Sequence, residues 1–320
     1  MGNFKPKNVK LYSIHERTHK VQIKDFAEVP SIHKDFGKWI DGLPNILAAQ
    51  DLKEVIAAIV KARQKNKPVI AMIGGHVIKC GVTPLLIDWM KKGILTGMAM
   101  NGSASIHDTE IALIGQTSED VAVALDDGTF GMVRETGELI HAALKEGNQH
   151  GWGMGQSIGY KINKVKLPYR AKSLLANADK LGIPVTVHTA IGTDTIYQHP
   201  DVDGAVMGET SLRDFYRFAE MLKDLNNGGV ILNIGSAVIL PEVFLKTLTI
   251  ARNLGYPVAK FTSCNFDMIQ HYRPRENVVK RPTRTGGKGY TITGHHEIMI
   301  PLLYAGVMAK MKESTHTHRG

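Results

Sequence analysis

Short apolar runs recur along the chain, each closed by small polar residues and followed by a segment with helical spacing. Residues 69–73 run into Gly74-Gly75, 96–100 into Asn101-Gly102-Ser103, and 184–188 lead to Gly192-Thr193-Asp194. Further on, 229–234 run into Gly235-Ser236, 258–261 into Thr262-Ser263, and 290–293 into Gly294-His295-His296. Apolar strands alternating with helices predict an α/β fold with a parallel sheet. Such a sheet collects the carboxyl ends of its strands along one edge, where ligands bind in a crevice. Six polar tips on one edge predict a large nucleotide or dinucleotide site.

Helices are predicted over 52–64, 83–92, 109–114, 174–181, 211–225 and 241–254, with another opening at Thr117-Ser118-Glu119-Asp120. Thr83 reads as an N-cap with Pro84 at the first helical position. Ser105-Ile106-His107-Asp108 resembles a capping box. Residues 147–159 hold five glycines in thirteen positions and read as a loop. The basic stretch 273–289, with Pro274, Pro282 and three glycines, reads as a long functional loop. No linker interrupts the pattern, so one domain over 1–320 is expected, with an N-terminal arm to about residue 29 and a frayed tail from 313.

A hydrophobic content of 43% and a charged content of 22% fit an ordinary soluble globular protein with a sizeable core. Cys80 and Cys264 stand far apart and read as free thiols in a reducing compartment. The polar, basic first ten residues lack the pattern of a signal peptide, and no run of about 18 apolar residues occurs, so a cytoplasmic protein is expected. A net charge of +9 alone would fit a nucleic-acid binder. The basic residues are spread along the chain, however, aromatics make up only 7%, and no recognition motif appears. A basic enzyme with an anionic cofactor is therefore the preferred reading of the charge.

The glycines at 74–75 and 102 would let backbone N–H groups approach a phosphate at a helix start, or simply make tight turns. His107-Asp108 and His295-His296-Glu297 suggest metal ligands, but neither has the further partners a site needs. Asp108 reads instead as a cap, and His295 or His296 as a cofactor or substrate contact. Asp194 either caps the next helix or holds a cationic substrate. Glu276 either offsets Arg273 and Arg275 or faces the site. Lys280 and Lys288 are solvated by default, or nucleophilic if burial or nearby cations depress their pKa. No serine-hydrolase elbow or Cys–His signature is present.

Together these segments resemble the deoxyhypusine synthase family over roughly residues 52–311. The most specific stretch runs from Asn101 through Asp108, followed by Glu110-Ile111-Ala112-Leu113 and Thr117-Ser118-Glu119-Asp120, which looks like the bacterial deoxyhypusine synthase-like branch. Further matches are Ile191-Gly192-Thr193-Asp194, the turn at Gly235, Phe261-Thr262, Arg273-Pro274 with Glu276, and Pro301-Leu302-Leu303. The resemblance implies a doubly wound Rossmann-like sheet, a homotetramer with NAD at subunit interfaces, and NAD-dependent oxidation of spermidine or a related polyamine to an imine. The aminobutyl group would then pass by way of an enzyme lysine to an acceptor amine.

On this resemblance the NAD contacts are Gly74, Asn101, Gly102, Ser103, Gly235, Ser236, Thr262 and His295. Asp194 and Glu276 hold the amine, and Lys288 or Lys280 is the nucleophile. The family's Trp-Gly-Lys is replaced here by Lys280-Arg281-Pro282, and its His-His after the glycine turn by Leu240-Pro241. A transferase with no lysine intermediate, of the homospermidine type, and a non-catalytic NAD-binding homologue are the alternatives.

Overall fold

The computed structural model describes residues 9–26 and 36–317. Six parallel strands form one sheet: β1 (Val69–Ile73), β2 (Gly97–Asn101), β3 (Val185–His188), β4 (Val230–Ile234), β5 (Thr262–Asp267) and β6 (Lys288–Thr293). Their order across the sheet is β3-β2-β1-β4-β5-β6, so the chain reverses its direction of winding between β1 and β4. That is the strand order of dinucleotide-binding Rossmann folds, with the switch point at the β1/β4 boundary.

Alternate residues of the central strands β1, β2 and β4 feed two separate cores. Val69, Ala71 and Ile73 of β1 face the larger one, with α1 (Leu47–Gln64), α2 (Thr83–Lys91), α3 (Gly102–Ile114), α4 (Arg134–Gln149), α5 (Met154–Lys164), α6 (Leu174–Leu181) and α9 (His296–Thr317). Ile70 and Met72 face the other, with α7 (Gly204–Met221) and α8 (Ile239–Asn253). A sheet covered on both faces explains why its strands read as unbroken apolar runs. The fold is therefore α/β, doubly wound and Rossmann-like.

Three sequence expectations change. Only a short turn separates α4 from α5, so residues 147–159 are largely helical. Their glycines permit close packing: a Cβ on Gly155 would lie 2.1 Å from the Val185 carbonyl oxygen. The expected loop at 273–289 is helical over most of its length, with a π-helix at Arg275–Lys280. Val278 and Val279 drive this by burying against the second core.

The fifth strand also starts later than its apolar run. Residues 258–261 lead into the sheet, and the strand itself is polar yet buried. It is stable because its polar groups are paired. Ser263 Oγ donates to the Val278 carbonyl at 2.6 Å, and Asn265 Oδ1 accepts from Asn233 Nδ2 at 2.7 Å.

Of the expected arm, residues 9–26 are described and 1–8 and 27–29 lie outside the described residues. The tail is helical to Thr317, with 318–320 outside them. Among the described residues, both cysteines are free, and no helix is long and apolar enough to cross a membrane.

Candidate functional site

The turns after β1, β2, β3 and β4 converge on the carboxyl edge of the sheet. A Cβ on Gly74 would lie 2.0 Å from the Gly235 carbonyl oxygen, so the β1 and β4 turns touch across the switch point. One on Gly75 would lie 1.9 Å from Ser103 Oγ, which joins the β2 turn to them. Asn101 caps α3, its side-chain oxygen accepting from the Ala104 N–H at 2.9 Å. Gly102, at the first position of that helix, lies under the carboxylate of Asp194. Gly74, Asn101, Gly102, Ser103, Gly235, Ser236 and Asp194 thus belong to one continuous edge.

Asp194 is set back in this edge. Burial pushes its carboxyl up to about 6, against a backbone hydrogen bond from Ala190, and its Oδ2 is buried with no partner. It lines a cavity of about 220 Å³ shared by Ser103, His107, Glu110, Lys79, Arg17 and Glu119.

Polar groups organise the cavity floor. Glu110, buried on α3, accepts from Arg17 at 2.8 Å, from Thr136 at 3.3 Å and from Thr117. Burial opposes its charge, but the His107 hydrogen bond and the Arg17 guanidinium win and hold it down at about 2. Arg17 also lies 3.5 Å from Glu119. His107 is turned toward Thr117, its Nδ1 2.7 Å from the hydroxyl. Burial lowers the pKa of His107.

Five expected contacts lie elsewhere. Thr262 and Lys288 open β5 and β6 and pair with each other there, at the amino edge opposite the crevice. Lys288 is exposed, its ammonium donating to Glu54 at 3.0 Å. Lys280 is exposed on the β5–β6 crossover and donates to Glu276 at 3.0 Å, and Glu276 also faces Arg275. The burial a neutral nucleophilic amine needs is absent at both lysines. His295 points outward beside Glu297.

Its neighbour His296 is the buried one. Its Nε2 would lie 2.6 Å from a Cβ on Gly235, and its Nδ1 is buried without a partner. Asp108 does cap a helix, but at a distance: it sits inside α3 and accepts from Ser173 Oγ at 2.6 Å and from Leu174 N–H at 2.7 Å, at the start of α6.

No family model matches the chain, and no curated protein matches it. Among solved structures, the ternary complex of AgrE with ornithine and NAD+ is similar at 14% identity and a TM-score of 0.51, over 90% of this chain and 35% of that one. A LOR/SDH protein from Methanococcus maripaludis S2 gives 12% identity and 0.49, over 89% and 72%. A protein described as a deoxyhypusine synthase from Entamoeba histolytica gives 9% identity and 0.49, over 82% and 88%. This chain spans about a third of the AgrE chain. The likeness to AgrE is one of fold.

Sequence reading missed Arg17, Lys79, Glu110 and Glu119 as lining residues of the cavity, and it left His295 and His296 as alternatives. The i, i+3 spacing of His107 and Glu110 on one helix face was the one local signal. Arg17 reaches the cavity from the N-terminal segment, and nothing in its own neighbourhood marks it.

Proposed function

We propose that this chain is an NAD-dependent enzyme that oxidises a small amine, with the dinucleotide at the β1/β4 switch point and the amine beside Asp194. The observation that carries this reading is the adjacency of two features. The reversal of strand order, lined by Gly74, Gly235 and Ser236, adjoins through Ser103 a cavity bearing the Asp194 carboxylate, whose Oδ2 is buried without a partner. The buried, unpartnered His296 Nδ1 and Asn233 Oδ1 support a polar ligand at the β4 turn. Gly74, Asn101, Ser103, Gly235 and Ser236 would hold the cofactor, which when bound supplies a hydride acceptor.

The chain's own residues do the rest. Asp194, ionised above about pH 6, draws an ammonium into the cavity and fixes the carbon beside the nitrogen near the switch point. Oxidation there would pass hydride from that carbon to the bound dinucleotide and a proton from the nitrogen to solvent, and attack on the resulting imine by a second amine would expel the first amine. The outward placement of Lys280 and Lys288 favours transfer without either lysine as an intermediate. The exposed Val123 and Leu125, on the helix Val121–Asp126 beside the cavity, support subunit contacts near the site.

The test is to incubate the protein with NAD and single amines (spermidine, putrescine, agmatine) and follow products by mass spectrometry. Lys280→Ala and Lys288→Ala variants are expected to turn over as the parent does. A protein that binds no NAD, or that converts no amine while binding it, would overturn the reading.

A further inference from the structure

The cavity beside Asp194 holds five charged side chains: Arg17, Lys79, Glu110, Glu119 and Asp194. Three of them satisfy one another, since Arg17 lies 2.8 Å from Glu110 and 3.5 Å from Glu119. The other two do not. The half-buried Lys79 ammonium makes no hydrogen bond or ion pair with any described residue, and Asp194 Oδ2 is buried without a partner. No ion pair joins Lys79 to Asp194 either, so an ammonium with no direct partner, though within the field of Glu110, and a carboxylate held on one side only by the Ala190 backbone line one cavity. A partly buried charge without a partner is unfavourable, and a ligand with complementary ends relieves both sites together.

We infer that the cavity takes a small zwitterion, an amino acid whose ammonium meets Asp194 and whose carboxylate meets Lys79. This rests on the reading of the cavity as the amine site and narrows its substrate class. A polyamine would satisfy Asp194 but set a further ammonium against Lys79, where like charges repel. A second carboxylate for a polyamine is not at hand, because Glu110 and Glu119 are engaged by Arg17, and Glu276 lies on the β5–β6 crossover. The cavity's volume of about 220 Å³ also suits a compact ligand, being below the roughly 300 Å³ where drug-sized sites begin.

The test is calorimetric titration of the whole chain, with and without NAD, using L-ornithine, 5-aminopentanoate, putrescine and pentanoate. The wild-type protein is expected to prefer at least one of the two zwitterions over putrescine and pentanoate by about tenfold or more, the scale of one charge-assisted hydrogen bond. Lys79→Met should remove the preference over putrescine, and Lys79→Arg should restore part of it. Thermal melts of both variants report whether they fold.

Equal binding of putrescine and the zwitterions, or a Lys79→Met variant that keeps the preference, would overturn the inference while leaving the amine site standing. Failure of every amine to bind would overturn both.

Discussion

Gly102 and Asp194 occupy one space: a methyl group on Gly102 would lie 2.3 Å from Asp194 Cγ and Oδ2. The glycine that opens α3 is what allows the carboxylate to sit over the helix start. Gly102→Ala is therefore expected to push Asp194 out of place and weaken amine binding by about tenfold or more, the loss of a charge-assisted hydrogen bond. The side chain can move, so stability should change by less than about 2 kcal/mol. Calorimetry and a thermal melt on one preparation separate the two effects.

Amine binding should depend on pH through Asp194. Its folded-state value of about 6 lies above the ordinary 3.8, so the carboxyl is neutral in mild acid and charged above about 6. An alkyl ammonium keeps its proton up to about pH 10. Affinity is expected to rise with pH through about 6 and then level off, and Asp194→Asn should bind weakly with no such step. An affinity falling over that range in the wild type would contradict the assignment.

The two turns at the switch point leave no room between them. Gly74→Ala would drive a Cβ to 2.0 Å from the backbone oxygen of Gly235, which cannot swing away. A loss of about 1–3 kcal/mol in stability is expected, together with weaker NAD binding. Gly208, within α7, is the control: a Cβ there meets nothing within 4 Å. Gly208→Ala should stabilise the fold by up to about 1 kcal/mol in denaturant titrations.

Arg17 is the only cation paired with Glu110 among the described ion pairs apart from His107. Removing it leaves the buried carboxylate to His107 and the hydroxyls of Thr117 and Thr136. Arg17→Ala is expected to cost about 3 kcal/mol or more, as other broken buried pairs do. Recovery on adding Glu110→Gln, read in a double-mutant cycle, would show that the unpaired charge is the cause.

Much of the fold was legible locally. Residues 69–73 and 185–188 are strands as their apolar runs predict, residues 174–181 are a helix as their spacing predicts, and Asp194 and the glycine turns do gather on one edge. β5 was misplaced because Ser263 and Asn265 are buried polar groups whose partners, Val278 and Asn233, are remote in sequence. The segment 273–289 looked like a loop because Pro and Gly punctuate it, while the burial of Val278 and Val279 is what makes it helical.

The sequence by itself determined the class of fold, since local periodicity and turn residues choose strand or helix over a few residues at a time. The tertiary structure alone decided the strand order, the placement of Thr262 and Lys288 on the amino edge, the choice of His296 over its neighbour His295, and the meeting of Arg17 with Glu110. Each of these is a contact between residues distant in the chain, governed by how buried charges and hydrogen-bonding groups find partners, and local patterns carry no record of those pairings.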